Sequence, residues 1–249
     1  MTRLSVNVNK IATLRNTRAI GIPDVTRLSA IALEAGADGI TIHPRPDQRH
    51  IRADDVEPIA AIVRRVHGAE FNIEGNPFQG LVEHCEQVRP DQATLVPDAR
   101  EAFTSNHGWN LVELGRTERN ALRQAIERLH AVGARVSLFV DPASEMMQLV
   151  RDMGADRIEL YTEPYAAAPA TGHSGVLKRY VEAARAASAV GLGINAGHDL
   201  NLENLGQFLR ALGNVDEVSI GHALVADALE FGLTETVRRY VAICRAGNG

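Results

Sequence analysis

Apolar residues recur along this chain in two alternating patterns. Short runs bounded by glycine, proline or charged residues predict strands over Leu4–Val8, Gly39–His43, Phe71–Glu74, Gln92–Val96, Arg135–Val140, Arg157–Thr162, Gly191–Asn195 and Glu217–Ile220. Between them the apolar spacing turns helical, as in Val25-Leu28-Ile31-Ala32-Ala35, Val56-Ile59-Ile62-Val63 and Leu122-Ile126-Leu129-Val132. Helix ends repeat one phrase, Ala35-Gly36-Ala37-Asp38 and Met153-Gly154-Ala155-Asp156, with Val132-Gly133-Ala134 and Val190-Gly191-Leu192 as relatives. A glycine there suits the left-handed residue that closes a helix. Pro23-Asp24, Asp54-Asp55, Asp141-Pro142 and Asn201 mark helix starts.

Eight strand–helix repeats within 249 residues predict an α/β fold, a (β/α)8 TIM barrel forming a single domain over residues 1–249. A doubly wound open sheet would carry Gly-x-Gly-x-x-Gly after its first strand, where this chain has Asn7-Val8-Asn9-Lys10. No linker, charge block or low-complexity run divides the chain. The polar stretch Thr104–Gly115 has room for an extra turn or short helix. Thr162–Ser174, following strand six, reads as a long loop and a lid candidate, because loops after barrel strands cover the active site.

A composition of 45% hydrophobic and 23% charged residues is that of a globular protein with a sizeable core. Net charge of -5 gives no basis for broad binding to nucleic acid or an anionic membrane, so any anion must be gripped locally. No apolar run approaches the roughly 20 residues that cross a bilayer, and Met1-Thr2-Arg3-Leu4 leads into a strand pattern rather than a secretory leader. The expectation is a soluble, cytoplasmic protein. Cys85 and Cys244 lie in helical stretches with neither metal-ligand nor disulfide spacing, and read as inert thiols.

In a parallel barrel the carboxyl ends of the strands meet at one face. That face would gather His43, Glu74, His198 and His222 from the ends of strands two, three, seven and eight. Imidazole exchanges protons near pH 7, although any one of these histidines alone has an equally good structural reading. Glu74 and Glu159 lie among apolar neighbours, where a carboxylate is costly unless paired or protonated; the bland alternative is an ion pair with an arginine. Arg45-Pro46-Asp47-Gln48-Arg49-His50 puts two guanidinium forks and an imidazole on one loop, suited to an anion. A second anion site is expected at Gly221-His222-Ala223-Leu224, where strand eight runs into a helix amino terminus. Two anion sites flanking acid–base groups point to one substrate with two phosphates or to two phosphorylated substrates. Lys10 and Lys178 are the two lysines among 26 basic residues, and Lys10 alone falls near the pocket, as a phosphate contact or a Schiff-base amine.

Seven phrases in order resemble the pyridoxine 5'-phosphate synthase family. They are Asn7-Val8-Asn9-Lys10-Ile11-Ala12-Thr13-Leu14-Arg15-Asn16, Ala35-Gly36-Ala37-Asp38-Gly39-Ile40-Thr41-Ile42-His43, Arg49-His50-Ile51, Asn72-Ile73-Glu74, Leu95-Val96-Pro97, Asn195-Ala196-Gly197-His198 and Ile220-Gly221-His222-Ala223. The resemblance implies a barrel enzyme of vitamin B6 synthesis that condenses 1-deoxy-D-xylulose 5-phosphate with 3-amino-2-oxopropyl phosphate, closes the pyridine ring and releases phosphate and water. It further implies His43 and Glu74 as proton acceptors, His198 as proton donor and Glu159 as a carboxylate stabilising charge. Asn7, Arg18, Asp199 and the Gly221-His222 pair match positions holding the amino-ketone phosphate; Arg45, His50 and Thr104 match those holding the xylulose phosphate. No metal or organic cofactor is implied, the partners are small phosphorylated molecules, and the assembly is a homo-octamer.

Two positions depart from the common pattern. Asn9-Lys10 stands where many members have an Asp-His pair, which places a fixed positive charge near the sugar phosphate. Asp199 stands where a glycine often follows the histidine of strand seven, and its side chain is expected to point away from phosphate. Two rival readings are a divalent-metal barrel using His43, Glu74, His198 and His222, disfavoured because Asn7-Val8-Asn9 stands where such barrels carry a His-x-His pair, and a phosphometabolite-binding scaffold, whose signature of lost acid–base groups is missing because His43, Glu74 and His198 are all present.

Overall fold

The computed structural model describes residues 1–98, 105–168 and 173–247, with all their side chains except those of His173 and Ser174. Eight parallel strands close in sequential order: β1 (Arg3–Asn7), β2 (Gly39–Ile42), β3 (Glu70–Gly75), β4 (Gln92–Leu95), β5 (Arg135–Val140), β6 (Arg157–Leu160), β7 (Gly193–His198) and β8 (Glu217–Ile220). The expected barrel is therefore present, with its largest shift at β7. Gly191 sits at φ 77°, closing the preceding helix, so that strand starts later than its apolar run suggests. It then continues to His198, because Asn195–His198 pairs in register with Glu217–Ile220.

Helices α1 (Asn9–Asn16), α2 (Val25–Glu34), α3 (Val56–Val63), α4 (Leu81–Val88), α5 (Arg116–Ala131), α6 (Met147–Asp152), α7 (Glu163–Ala166), α8 (His173–Ala189), α9 (Leu205–Leu212), α10 (His222–Phe231) and α11 (Leu233–Ala246) follow the strands. Asp24 caps α2 by accepting the Arg27 N–H at 3.0 Å, as its position in the sequence predicts. Asn201 instead holds the turn before α9, accepting from the N–H groups of Glu203 and Asn204. Among the described residues α1, α7 and α10 are additions to the eightfold repeat, and α1 and α10 begin just past the ends of β1 and β8. The Thr162–Ser174 stretch is not simply a loop. Its first half forms α7, anchored by fully buried Tyr165, whose hydroxyl donates to the Asn204 carbonyl at 3.0 Å; residues 169–172 lie outside the described residues. In the Thr104–Gly115 stretch a turn follows Trp109, whose indole N–H donates to the Leu95 carbonyl at 2.9 Å.

The alternation of the strands sets the character of the two barrel faces. Residues such as Leu4, Ile40, Ile73, Leu95, Leu138 and Val218 point outward and are fully buried beneath the helices. Each such side chain contributes about 1.5–3 kcal/mol on removal from water. Their inward neighbours are polar: Ser5 meets Thr41 at 2.6 Å, Thr94 donates to Asn72 at 3.1 Å, and Gln92 reaches across to Glu217 at 3.2 Å. At the base, Glu70 pairs with both Arg3 and Arg135. The apolar core thus lies between sheet and helices, and the barrel axis carries polar groups.

A fourfold repeat ties the amino-terminal rim. Asp38, Asp91, Asp156 and Asp216 immediately precede β2, β4, β6 and β8. Each accepts, on a side-chain oxygen, the N–H of Leu4, Phe71, Val136 or Ile194 in the preceding strand, at 2.8–2.9 Å. Each also donates its own N–H to that same residue's carbonyl, and its carbonyl accepts from the first residue of the next strand. Removing the side chain strands a buried backbone N–H, a loss of about 1–3 kcal/mol. Asp91→Ala is accordingly expected to lower the melting temperature by roughly 2–4 °C per kcal/mol lost. Calorimetry showing no change would refute this role.

Candidate active site

Asn7, Asn9, Lys10, His43, Arg45, His50, Glu74, Glu159, His198, Asp199, Gly221 and His222 converge on one cavity of about 460 Å³ at the carboxyl ends of the strands. That volume falls in the usual range for small-molecule sites, about 300–1,000 Å³. Arg18 does not line this cavity: it follows α1 on an exposed segment. Thr104 lies outside the described residues. Asp98, Ser105, Phe139 and Ser219 also line the cavity, and nothing in the sequence pattern marked them. Their only signal was position, just past or near a strand end.

The end of β1 organises three strands. Asn7 Nδ2 donates to Glu74 at 3.2 Å, while Asn7 Oδ1 accepts the Asn9 N–H at 3.0 Å. Asn9 Oδ1 in turn accepts the His43 N–H at 2.8 Å, so the asparagine that departs from the common pattern fixes the backbone of β2. Gly221 packs against the Asn7 side chain, where an added Cβ would sit 3.1 Å from it, and opens α10. Gly221 and His222, at the amino terminus of that helix, line the cavity, a position that suits an anion.

After β2, the buried Arg45 guanidinium pairs with buried Asp98 at 3.0 Å, and Ser105 donates to the same carboxylate at 2.8 Å. Arg49 is paired with Asp47. The two guanidinium groups of the expected clamp are therefore already engaged with carboxylates. His50 Nδ1 accepts the Ile51 N–H at 2.9 Å, which places the proton of the neutral ring on Nε2 as a donor. Burial, with Arg45 and Lys10 nearby, holds His50 down at a pKa of about 4.

Burial and the charge on neighbours pull the acid–base groups apart. His43 sits well below the ordinary imidazole range because it is desolvated and faces His50 and Arg45, so it is a neutral base at pH 7. Desolvation raises Glu74 to about 7, against the pull of His198 and a 3.4 Å bond from Ser219. Glu159 is pushed well above the carboxylate range by burial, then by Glu74 and Glu217, which favours its protonated form, and its Oε2 has no hydrogen-bond partner among the described residues. His198 runs the other way. Burial works to lower it, but a 2.8 Å bond from Nδ1 to Asp199, with the charges of Asp199 and Glu74, raises it above its ordinary value. Asp199 is thus turned onto His198.

Among the described residues no group of three or more histidine, cysteine or acidic side chains is arranged to hold a metal ion. Cys85 and Cys244 are buried away from the cavity, and burial pushes both thiols up, Cys244 to about 12. No described helix is long and apolar enough to cross a membrane.

Fold and cavity together define a TIM-barrel enzyme with acid–base groups and anion-binding elements at its carboxyl face. Residues 4–246 match the family model described as pyridoxal phosphate biosynthesis protein PdxJ, and the chain belongs to that family. It is 51% identical over 254 residues to pyridoxine 5'-phosphate synthase of Albidiferax ferrireducens, covering 99% of this chain and 98% of the relative. It is 52% identical to the protein of that name in Xanthomonas axonopodis pv. citri, covering 99% of this chain and 98% of the relative. The Porphyromonas gingivalis protein of that name is 50% identical, with 96% and 98% covered. Among solved structures, tryptophan synthase from M. tuberculosis superposes at TM-score 0.62 with 14% identity, covering 99% of this chain and 92% of that one. N-(5'-phosphoribosyl)anthranilate isomerase from Pyrococcus furiosus does so at 0.58 with 12% identity, covering 99% and 100%. At that identity the likeness is one of fold.

Glu159 makes a pH dependence testable. Its folded pKa lies above its unfolded value, so the native state holds a proton that the unfolded chain releases. Stability is therefore lost as pH rises above the ordinary carboxyl range of about 4–4.5. Glu159→Gln, a neutral replacement of the same shape, is expected to melt higher than the parent at pH 8 and equal to it at pH 4. Equal melting at both values would show that Glu159 is not held protonated.

Proposed function

We propose that the cavity condenses 1-deoxy-D-xylulose 5-phosphate with 3-amino-2-oxopropyl phosphate to make pyridoxine 5'-phosphate, the activity named for its relatives. The observation that carries this reading is the opposed titration of groups in one cavity: neutral His43, Glu74 poised near 7, and His198 held above its usual range. A sequence of carbonyl addition, dehydration and ring closure needs bases and an acid at the same pH.

The substrate amine adds to the deoxyxylulose carbonyl, and loss of water gives an imine linking the two substrates. His43 and Glu74 accept protons from nitrogen and carbon, and His198 returns protons to departing oxygen. Phosphate and water leave as the ring closes. Protonated Glu159, lying below Glu74, stabilises negative charge that develops above it. Asn7, the Gly221-His222 helix start and the Asp199 backbone hold the amino-ketone phosphate. Arg45, His50 and Thr104 hold the sugar phosphate, with Lys10 supplying the added positive charge at that end and Asn9 acting through His43. Arg45 exchanges its carboxylate partner for phosphate in this reading. The working form is a cytoplasmic homo-octamer, a self-association supported by exposed Ile20, Ile22 and Leu229.

Purified, metal-stripped protein incubated with both substrates is expected to yield pyridoxine 5'-phosphate and free phosphate, dependent on each substrate. Glu74→Gln should reduce turnover by about 10²–10⁴ while phosphate binding persists. No product from folded protein that binds either phosphate would overturn the reading, and near-normal turnover in Glu74→Gln would remove Glu74 from it.

A further inference from the structure

The segment around His198 is held more tightly than substrate contact requires. His198 sits at φ 41°, in the left-handed region that a residue with a side chain rarely adopts. Its two neighbours are bracketed by one hydroxyl from the end of β6: Thr162 Oγ1 donates to the Gly197 carbonyl at 2.5 Å and accepts the Asp199 N–H at 3.4 Å. Gly197 is pressed against β8, where an added Cβ would lie 2.0 Å from the Ser219 carbonyl oxygen. The backbone therefore has one position, and the ring is then fixed by the 2.8 Å bond from Nδ1 to Asp199 Oδ2.

We propose that the Asp199 carboxylate is a positioning residue that fixes the tautomer of His198 and orients its ring, so that Nε2 delivers the proton to substrate. This rests on the assignment of His198 as the acid made above. With Asp199 accepting from Nδ1–H, the proton exchanged with substrate is the one on Nε2, whatever the state of the ring. A carboxylate beside the ring also stabilises the imidazolium that an acid must carry. Three charged groups face the ring: Asp199 from its own segment, Glu74 from β3 and Lys10 from α1. Asp199 and Glu74 favour the proton, while Lys10 opposes it. Glu74 is the base of the same reaction and loses its negative charge whenever it takes a proton. Asp199 takes no part in those proton transfers. The same bond explains how an aspartate is tolerated at a phosphate-binding turn: its charge is directed to the imidazole.

The test is Asp199→Asn, which keeps size and fold, with Asp199→Glu as the conservative variant and His198→Gln as the control. Hydrogen–deuterium exchange at each imidazole C2, read by mass spectrometry, gives the His198 titration without reference to activity. Asp199→Asn is expected to move that titration to lower pH and to move the alkaline limb of the kcat/KM profile with it. At pH 8 kcat should fall at least about tenfold, with KM for both substrates within about threefold, and Asp199→Glu should restore part of the loss. An unchanged His198 titration and pH profile in folded Asp199→Asn would overturn the inference. If His198→Gln itself retains parental turnover, the assignment of His198 as acid fails first, and the role of Asp199 falls with it.

Discussion

Desolvation of carboxyl groups inside a closed barrel is the constraint around which this molecule is arranged. Inward positions of β3, β6 and β8 carry Glu70, Glu74, Glu159 and Glu217, and a charged carboxylate in such a place is stable only with a partner. Near the base, partners exist. Arg3 and Arg135 hold Glu70 ionised, below the usual carboxylate range despite its burial. Nearer the mouth the arginines are gone, and burial raises both Glu159 and Glu74, Glu159 further through the charges of Glu74 and Glu217 and Glu74 through those of Asp98 and Glu217. Within the barrel interior, then, arginines hold Glu70 low, while burial raises Glu217, Glu159 and Glu74.

That division needs a barrel whose rim does not spread. In many parallel barrels the axis is filled with branched apolar side chains that lock the strands from within. Here the axis is polar, and strand positions are held instead by helix packing outside and by backbone clamps at the rim. The aspartates before β2, β4, β6 and β8 each bind the strands on both sides, which joins all eight around the ring. The interior is thereby left free to serve chemistry instead of cohesion.

At the mouth, similar residues acquire different roles from their surroundings. Two histidines, His43 and His198, border the same cavity with nearly opposite tendencies. Burial, with His50 and Arg45 nearby, pushes His43 down, whereas Asp199 and Glu74 push His198 up against its burial. Neither tendency belongs to imidazole itself. The geometry of β1 contributes as well, because Asn7 and Asn9 tie Glu74 and the His43 backbone to one turn.

Much of this was legible in the sequence. The period of the apolar residues gave eight strands and their order, the glycines at Gly36, Gly133, Gly154 and Gly191 marked helix ends, and strand-end position gathered His43, Glu74 and His198. These features are local: alternation and helix closure depend on residues a few places apart. Other features were not legible. Helices α1, α7 and α10 extend beyond the simple repeat, and the engagement of Arg45 by Asp98, the anchoring of Tyr165 and the rim bonds of Asp91 and Asp216 join residues far apart in the chain. Arg18, matched by resemblance to a phosphate contact, lies outside the cavity of its own chain. The sequence by itself determined which side chains alternate and which end of each strand carries chemistry. Only the closed tertiary structure decided which of them are charged, because protonation follows from desolvation and from neighbours that the fold, not the chain order, brings within reach.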